Sequence, residues 1–290
     1  MPWVAPRHSR QEVNAAAKLL LRKSGPDWRP SPVEWWSALG VVNNWRAAHS
    51  YPLNAATADL RQKAKKVYAS AIISRRIKRL PSILTKLERY PELSLTRVQD
   101  IGGCRAVVTT VSQVRRLVAL YRGGRVAEHI GRVDDYIQEP RKDSGYRGVH
   151  LIYKYEDKQP EWEGLKVEIQ LRSRPMHAWA TAVEIVDTFT QQTLKTGGGE
   201  EDWRRFFRLM ASTIAAGERA PLVSDTPSGV ELKEELSAYA TRLDVVSVLT
   251  KYRGAVHIAE TAPPFAHWFV MVLDSTDPGG VPVMLEKGAA

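Results

Sequence analysis

The stretch LKVEIQLR, residues 165–172, decides the fold, because apolar and polar side chains alternate along it without a break. Side chains of a β-strand point alternately to its two faces, so the pattern predicts a strand with one apolar and one polar face. The polar face would carry Glu168, Gln170 and Arg172, and a carboxylate, an amide and a guanidinium side by side suit the floor of a binding site. An ordinary amphipathic strand with a solvated polar face has the same pattern, and this strand taken alone favours that second interpretation.

A second carboxylate, Asp100, stands at the start of another predicted strand, residues 100–110. The interior of that strand is apolar except for Arg105. Two carboxylates on neighbouring strands can hold one Mg²⁺ ion, which prefers oxygen ligands and keeps several waters and substrate phosphates. Asp100 and Glu168 are therefore candidate metal ligands, while a capping role at a helix or turn stays open for Asp100.

A basic segment, RIKRLPSILTK at residues 76–86, precedes both strands and has the side chains that a triphosphate requires. Triphosphate binding needs several cations and a hydroxyl donor held close together, and an arginine can also stack on an adenine ring. Ser82 is a predicted helix N-cap, which would leave backbone N–H groups of the following helix available to a phosphate.

A fourth segment, DYIQEPRKDSGYRGVH at residues 135–150, is a basic loop that contains glycine and leads into a predicted strand. Tyr146 stands close to several cations in this loop, and its ring offers a stacking surface for a base. Packing of a loop tyrosine against the edge of the sheet is the alternative.

The charge and composition of the chain indicate which kinds of partner it could bind and in which cellular compartment it is expected. The chain of 290 residues is 43% hydrophobic and carries a net charge of +10, which favours polyanions such as nucleotides or RNA. Residues 61–89 hold ten Lys or Arg against the single acid Glu88, although a solvated helix face would also explain such a run. No apolar run of about 18 residues is present, so neither a membrane span nor a signal peptide is expected. The single cysteine, Cys104, excludes an internal disulfide and a zinc cluster and fits a reducing cytoplasm.

The remaining sequence alternates between helical and strand patterns, which predicts an α/β or α+β domain with a smaller C-terminal module. Helices are predicted at residues 11–23, 33–46, 54–73, 112–121, 174–195, 202–218 and 231–241. Strands are predicted at 100–110, 148–155 and 165–171, with a hairpin-like stretch at 255–284. The helix at 33–46 is expected to have Trp35 and Trp36 on its apolar side. The expected domains are a helical segment at 1–55, a main domain at 56–220 and a small, regulatory module at 230–290.

The order of four motifs along the chain resembles the synthetase domain of the RelA/SpoT alarmone enzymes. The motifs are RIKRLPSILTK (76–86), DIGGCR (100–105), DYIQEPRKDSGYRGVH (135–150) and EIQLRSRPMHAWA (168–180). Four ordered motifs make this resemblance, which spans roughly residues 60–195, highly specific. It implies a mixed β-sheet with helices on both faces, similar to nucleotidyltransferases. The stretch at 188–207 also resembles stand-alone members of the family, some of which are toxins fused to a neutralising C-terminal segment.

The resemblance implies a role for each residue that matches a motif. ATP would be bound by Arg76, Lys78, Ser82, Lys86 and Arg105, with Arg76 against the adenine. Mg²⁺ would be held by Asp100 and Glu168, and Glu168 would also help to deprotonate the attacking hydroxyl. The acceptor would be bound by Tyr146, His150, Gln170, Arg172 and Lys142, with Tyr146 stacked on its base. One additional residue in the loop leaves open whether Arg141 or Lys142 matches the family's lysine.

The activity implied by the resemblance is that of an ATP-dependent pyrophosphokinase with Mg²⁺ as its cofactor. Such an enzyme moves the β,γ-diphosphate of ATP to the ribose 3′-hydroxyl of GDP or GTP, forming (p)ppGpp and releasing AMP. Positioning and charge neutralisation do most of the work in phosphoryl-type transfer, so no Cys or Ser nucleophile is required. The His-Asp pair of the family's hydrolase half is not found in the sequence, so synthesis without hydrolysis is expected.

Two other functions stay open. The acceptor of the toxin branch is the 3′-terminal adenosine of tRNA, and the basic segment at 61–89 suits that polyanion as well. A non-enzymatic RNA-binding module on a decayed synthetase scaffold is the third reading. The other expectations are a cytoplasmic protein without a membrane partner, a homo-oligomer, and a protein trigger or antitoxin that acts through residues 230–290.

Overall fold

The computed structural model describes residues 3–21, 31–124, 126–156, 159–190, 194, 198–250, 267–274 and 277–286. The chain divides into two compact units. The first unit comprises Met1–Asp135 and Gly148–Arg174, and the second comprises Tyr136–Arg147 and Pro175–Ala290. Among the described residues, no helix is both long and apolar enough to cross a membrane.

A five-stranded mixed sheet forms the centre of the first unit, and helices pack around it. The strands are β1 (Ile72–Ile77), β2 (Gly102–Val108), β3 (Ile130–Asp135), β4 (Val149–Lys154) and β5 (Lys166–Ser173). The helices are α1 (Arg10–Leu21), α2 (Pro32–Ala48), α3 (Ser50–Val67), α4 (Leu80–Arg89) and α5 (Val111–Arg122). The strand order is β1-β2-β5-β4-β3, with β2 and β5 parallel and the other neighbours antiparallel. The predicted mixed sheet with helices is thus confirmed.

The deciding stretch forms β5, and its apolar residues face the interior as the alternation requires. Val167, Ile169 and Leu171 are almost fully buried. Ile169 lies opposite the buried Cys104 of β2. Helix α3 packs on this face of the sheet, where a Cβ atom added at Gly102 would lie 3.5 Å from the Cβ of Leu53. One face of β5 is therefore part of the hydrophobic core. This fixes the register of the strand, because a shift of one residue would turn the apolar side chains to the other face.

Local signals set the start of two helices. Ser31 caps α2 as predicted, because its hydroxyl accepts from the backbone N–H of Glu34 while the Glu34 carboxylate accepts from the Ser31 N–H. Thr110 and Gln113 form the same reciprocal capping box at the start of α5. Such caps satisfy backbone donors that the first helical turn leaves unpaired.

Three expectations about the first unit were wrong. The helix predicted at 54–73 ends at Val67, and Ile72 begins the edge strand β1, where β-branched residues fit well. Trp35 and Trp36 are exposed, because α2 buries a different stripe, formed by Ala38, Val42, Trp45 and Ala48. Strand β3 was missed, since this edge strand has only partly buried and exposed residues and so no clear alternation.

The described residues of the second unit include three long helices, a helical segment at 245–250 and a two-stranded sheet. The long helices and the strands are α6 (Arg174–Thr190), α7 (Glu201–Gly217), α8 (Gly229–Arg242), β6 (His267–Asp274) and β7 (Asp277–Glu286). An aromatic core on α6 and α7 holds the unit together, with Trp179, Trp203, Phe206 and Phe207 at its centre. The Arg205 guanidinium on α7 binds both carboxylate oxygens of Glu235 on α8, at 2.6 and 2.8 Å. The predicted hairpin corresponds to β6 and β7, while residues 255–266 and 275–276 of that prediction lie outside the described residues.

We expect Ile169→Ala to lower the free energy of unfolding by about 2–4 kcal/mol, because it leaves a cavity in the core beneath β5. Ile72→Ala is the matched control, since the same atoms are removed from a side chain that is 52% exposed rather than 1%. The control should cost less than about 1 kcal/mol. Urea titration measures both values, and equal losses for the two variants would contradict this account of the core.

Candidate active site

The polar face of β5 is a continuous chain of hydrogen bonds. The Gln170 amide donates to Oε2 of Glu168, and Nη2 of Arg172 donates to Oε1 of Gln170 over 3.2 Å. These side chains are not solvated in the way an ordinary amphipathic strand would be, because the Glu168 side chain is only 15% exposed and Arg172 is buried. The three predicted residues therefore form one partly buried polar row.

His150 extends this row from the neighbouring strand. It lies on β4 opposite Gln170, and its Nδ1 is 3.2 Å from Oε1 of Glu168. Burial by itself would raise the pKa of Glu168, but the hydrogen bond and charge of His150 and the Gln170 amide outweigh it, so the pKa is lowered. Glu168 is therefore ionised at neutral pH and both of its oxygens are already oriented.

Asp100 stands just before β2 and is bound by two lysines. Nζ of Lys78 donates to Oδ2 at 2.6 Å, and Nζ of Lys86 donates to Oδ1 at 2.9 Å. Burial would raise the pKa of Asp100, but the two ammonium charges and their hydrogen bonds more than offset it and lower the pKa to about 2. The Asp100 side chain is 19% exposed, so these ion pairs are only weakly screened by solvent.

Backbone contacts hold Lys78 beside this carboxylate. Its N–H donates to the carbonyl of Ile101 over 2.7 Å, just beyond the pairing of β1 with β2. Its own carbonyl accepts from Nε of Arg46 on α2, at 3.1 Å. The sequence did not identify Arg46 as a site residue, because it lies outside every motif. It appeared there only as the last residue of the helix predicted at 33–46.

The two acids belong to neighbouring strands, with Asp100 just before β2 and Glu168 on β5, and the charge of Asp100 partly offsets the lowering of the Glu168 pKa. In the parallel register of these strands, Gly103 lies opposite Glu168 and Asp100 is three residues earlier. No group of three or more His, Cys, Asp or Glu side chains converges within the described part of the chain. Two carboxylates alone fit Mg²⁺, which commonly takes one or two protein carboxylates and completes its shell with waters and phosphates.

The other predicted ATP residues occupy β1, β2 and α4. Arg105 lies on β2, opposite Gln170 of β5, and is partly buried. Arg76 lies on β1 opposite Gly103 and is exposed. Ser82 is exposed in the first turn of α4, but the prediction that it caps this helix was wrong, because the cap is Arg79 and Pro81 occupies the first turn. A proline fits there because the first-turn N–H groups have no intrahelical partner.

Tyr146 belongs to the second unit and sits in an aromatic and cationic group. Its ring centroid lies 5.7 Å from Tyr136 and 6.3 Å from Trp179. The Arg141 guanidinium lies 4.6 Å from the Tyr136 ring, donates to the Tyr136 hydroxyl at 2.9 Å, and is 6.0 Å from the Tyr146 ring. Arg141 and Lys142 are both exposed, and the contacts to these rings are made by Arg141.

Part of the chain is similar to known proteins. Residues 75–187 match a family model described as "Region found in RelA / SpoT proteins". The GTP pyrophosphokinase YwaC of Bacillus subtilis is 33% identical over 112 residues, which is 37% of this chain and 52% of that protein. An uncharacterized protein of Mycobacterium tuberculosis is 29% identical over 120 residues, or 40% of this chain and 39% of that protein. The chain thus spans about half the length of these curated relatives, or less.

A solved structure has a similar fold over part of this chain. The small alarmone synthetase 2 from Bacillus subtilis has a TM-score of 0.51 and 21% sequence identity. The match covers 61% of this chain and 94% of that one. At this identity the likeness concerns the fold alone.

In a buffer with EDTA, we expect Asp100→Asn to lower the free energy of unfolding by about 2 kcal/mol at pH 6. The folded-state pKa of Asp100 lies below its usual value of 3.8, so this stabilisation is present above pH 4 and is lost as the pH falls towards about 2. The deficit of the variant should therefore shrink over that interval. Asp143→Asn, in an exposed loop, is the control and should change stability little at either pH. A deficit independent of pH would exclude the two lysines as its cause.

Proposed function

We propose that this chain, whose residues 75–187 match the RelA/SpoT family model, is a pyrophosphokinase that transfers the β,γ-diphosphate of ATP to the ribose 3′-hydroxyl of GDP or GTP. The observation that carries the proposal is the pair of acids in the first unit, each bound by its own basic or polar partners. Asp100 lies between Lys78 and Lys86, and Glu168 lies between His150 and Gln170. The name of the Bacillus relative, GTP pyrophosphokinase, supports the same reaction and acceptor.

Lys78 and Lys86 supply the positive charge that a polyphosphate needs. Their ammonium groups now neutralise one carboxylate, and two cations against one anion leave an excess of one positive charge. An incoming triphosphate would share these donors with Asp100. Arg76 and Arg105 add charge on the neighbouring strands, and Arg76 is the residue we assign to the adenine ring.

Glu168 is the group that we assign to proton removal. The 3′-oxygen of the acceptor attacks the β-phosphorus of ATP, an O–P bond forms, and the bond from the β-phosphorus to the α,β-bridging oxygen breaks, so that AMP leaves with the electron pair. The proton of the attacking hydroxyl passes to Glu168, whose lowered pKa keeps it ionised beforehand. His150 and Gln170 hold the carboxylate in position.

Asp100 and Glu168 would together hold Mg²⁺, which when bound neutralises phosphate charge as it builds up during the transfer. The fit rests on two observations. The acids are hard oxygen donors, and a cation between them would offset the negative charge that Asp100 places near Glu168.

A second acceptor, the 3′ end of tRNA, is favoured by one feature of the surface. Most basic residues of the segment at 61–89 are exposed on α3, β1 and α4. The exposed members are Arg61, Lys65, Lys66, Arg75, Arg76, Arg79 and Arg89. Such a surface suits a long polyanion. The same surface also suits RNA binding without catalysis. The pair of acids, Asp100 and Glu168, argues against that alternative, because RNA binding alone does not require them.

We expect γ-³²P-ATP to label GDP or GTP, and Glu168→Gln to lower the rate about 100-fold or more because the proton acceptor is lost. Glu161→Gln is the control, since the same substitution is made at an exposed position of the same unit and should leave the rate within about twofold. Bulk tRNA is offered in a parallel reaction. If only tRNA is labelled, tRNA and not a guanosine nucleotide is the acceptor. If Glu168→Gln transfers at the unmodified rate, Glu168 is not the base.

We expect EDTA to abolish transfer, and Asp100→Asn to require about tenfold more Mg²⁺ for half-maximal rate, because one of two ligands is lost. A readout independent of turnover is calorimetric binding of a non-hydrolysable ATP analogue, which should strengthen with Mg²⁺ in the unmodified chain more than in the variant. Equal Mg²⁺ dependence in both proteins would remove Asp100 from the metal site.

A further inference from the structure

The loop at residues 136–147, which carries Tyr146, packs on helix α7. Gly145 has a φ of +79°, and a Cβ atom added there would lie 3.1 Å from Cα of Arg208 and 3.0 Å from Cβ of Ala211. The loop backbone therefore rests directly on one turn of α7. Only glycine satisfies both the left-handed conformation and this close approach.

A buried ion pair anchors the other side of Tyr146. Nη1 of Arg147 lies 2.7 Å from Oε2 of Glu218, and the two side chains are only 3% and 11% exposed. Glu218 follows the last residue of α7. Removing one partner of a buried pair leaves an uncompensated charge, which is strongly unfavourable. The loop is thus tied to both the middle and the end of α7.

The ring of Tyr146 also depends on α7, through Trp179. The Tyr146 and Trp179 centroids are 6.3 Å apart at an interplanar angle of 59°. The Trp179 indole N–H donates to the carbonyl of Phe207 on α7, at 2.9 Å. The residues before and after Tyr146, and the ring packed against it, are therefore all fixed by one helix.

We propose that α7 is the positioning element for acceptor recognition in this chain, with Glu218 as its positioning residue. The helix begins after the matched RelA/SpoT region at 75–187 ends, so that match does not include it. The inference rests on the proposed function, in which Tyr146 stacks on the acceptor base. Loss of the anchor misplaces the ring, which weakens binding of the acceptor without changing binding of ATP.

The test compares Glu218→Gln with Glu231→Gln, an exposed glutamate on α8 of the same unit. We expect Glu218→Gln to raise KM for GDP about tenfold or more and to leave KM for ATP within about twofold, whereas Glu231→Gln changes neither. Gly145→Ala should give the same split, because it lifts the loop from α7 without touching the ion pair. Equal rises of both KM values, or no rise for GDP in either variant, would overturn the inference.

A second readout needs no turnover. Arg141 and Lys142 are exposed in the loop and are trypsin sites, so the rate of limited cleavage there reports how firmly the loop is held. Glu218→Gln should accelerate cleavage about tenfold relative to Glu231→Gln, and an unchanged rate would overturn the inference. If the unmodified chain transfers no diphosphate while the cleavage rates differ as expected, the proposed function fails and the anchoring role of α7 stands.

Discussion

The Asp100 carboxylate between two ammonium groups is the constraint on which the first unit's chemistry depends. Lys78 follows the end of β1 and Lys86 lies on α4, so this single anion links two elements through their charged side chains. The attraction between the carboxylate and the ammonium groups is stronger at such a partly buried site than in water. Without the carboxylate, the two ammonium groups would repel each other and separate. The acid therefore keeps the two cations together, as the proposed binding of a polyphosphate would require.

Strict alternation lets one strand serve two purposes. The face of β5 that carries Ile169 is part of the core, and the opposite face carries Glu168 in a chain of hydrogen bonds that ends at Arg172. A shift of one residue in register would bury the carboxylate and expose the core side chains. The stability of the sheet and the orientation of the polar row are thus set by the same pairing.

Much of this arrangement was predictable because its signals are local. Alternation identified β5, and a proline after a serine identified the start of α2. The predictions were wrong where the same local sequence is compatible with two different structures. Ile72 suits both a helix end and an edge strand, and tryptophans such as Trp36 suit a core but also tolerate exposure. The strand patterns suggested Asp100 and Glu168 as a pair of metal ligands, and the order of the four motifs then implied a role for each.

Contacts between residues distant in sequence could not be predicted. Arg147 and Glu218 are 71 residues apart, and neither shows any local sign of its partner. The same holds for Arg46, which reaches the carbonyl of Lys78 from a helix 32 residues earlier. These pairings follow from tertiary packing, which a single sequence does not display.

The buried Cys104 has a practical consequence. Burial raises the pKa of its thiol to about 12, and the thiolate is the form that reacts with alkylating reagents. The native thiol is therefore inert towards maleimides at neutral pH. A second cysteine introduced on the surface would accept a fluorophore at a single place, with no need to remove the natural one, and reaction at Cys104 itself would signal that the sheet has opened.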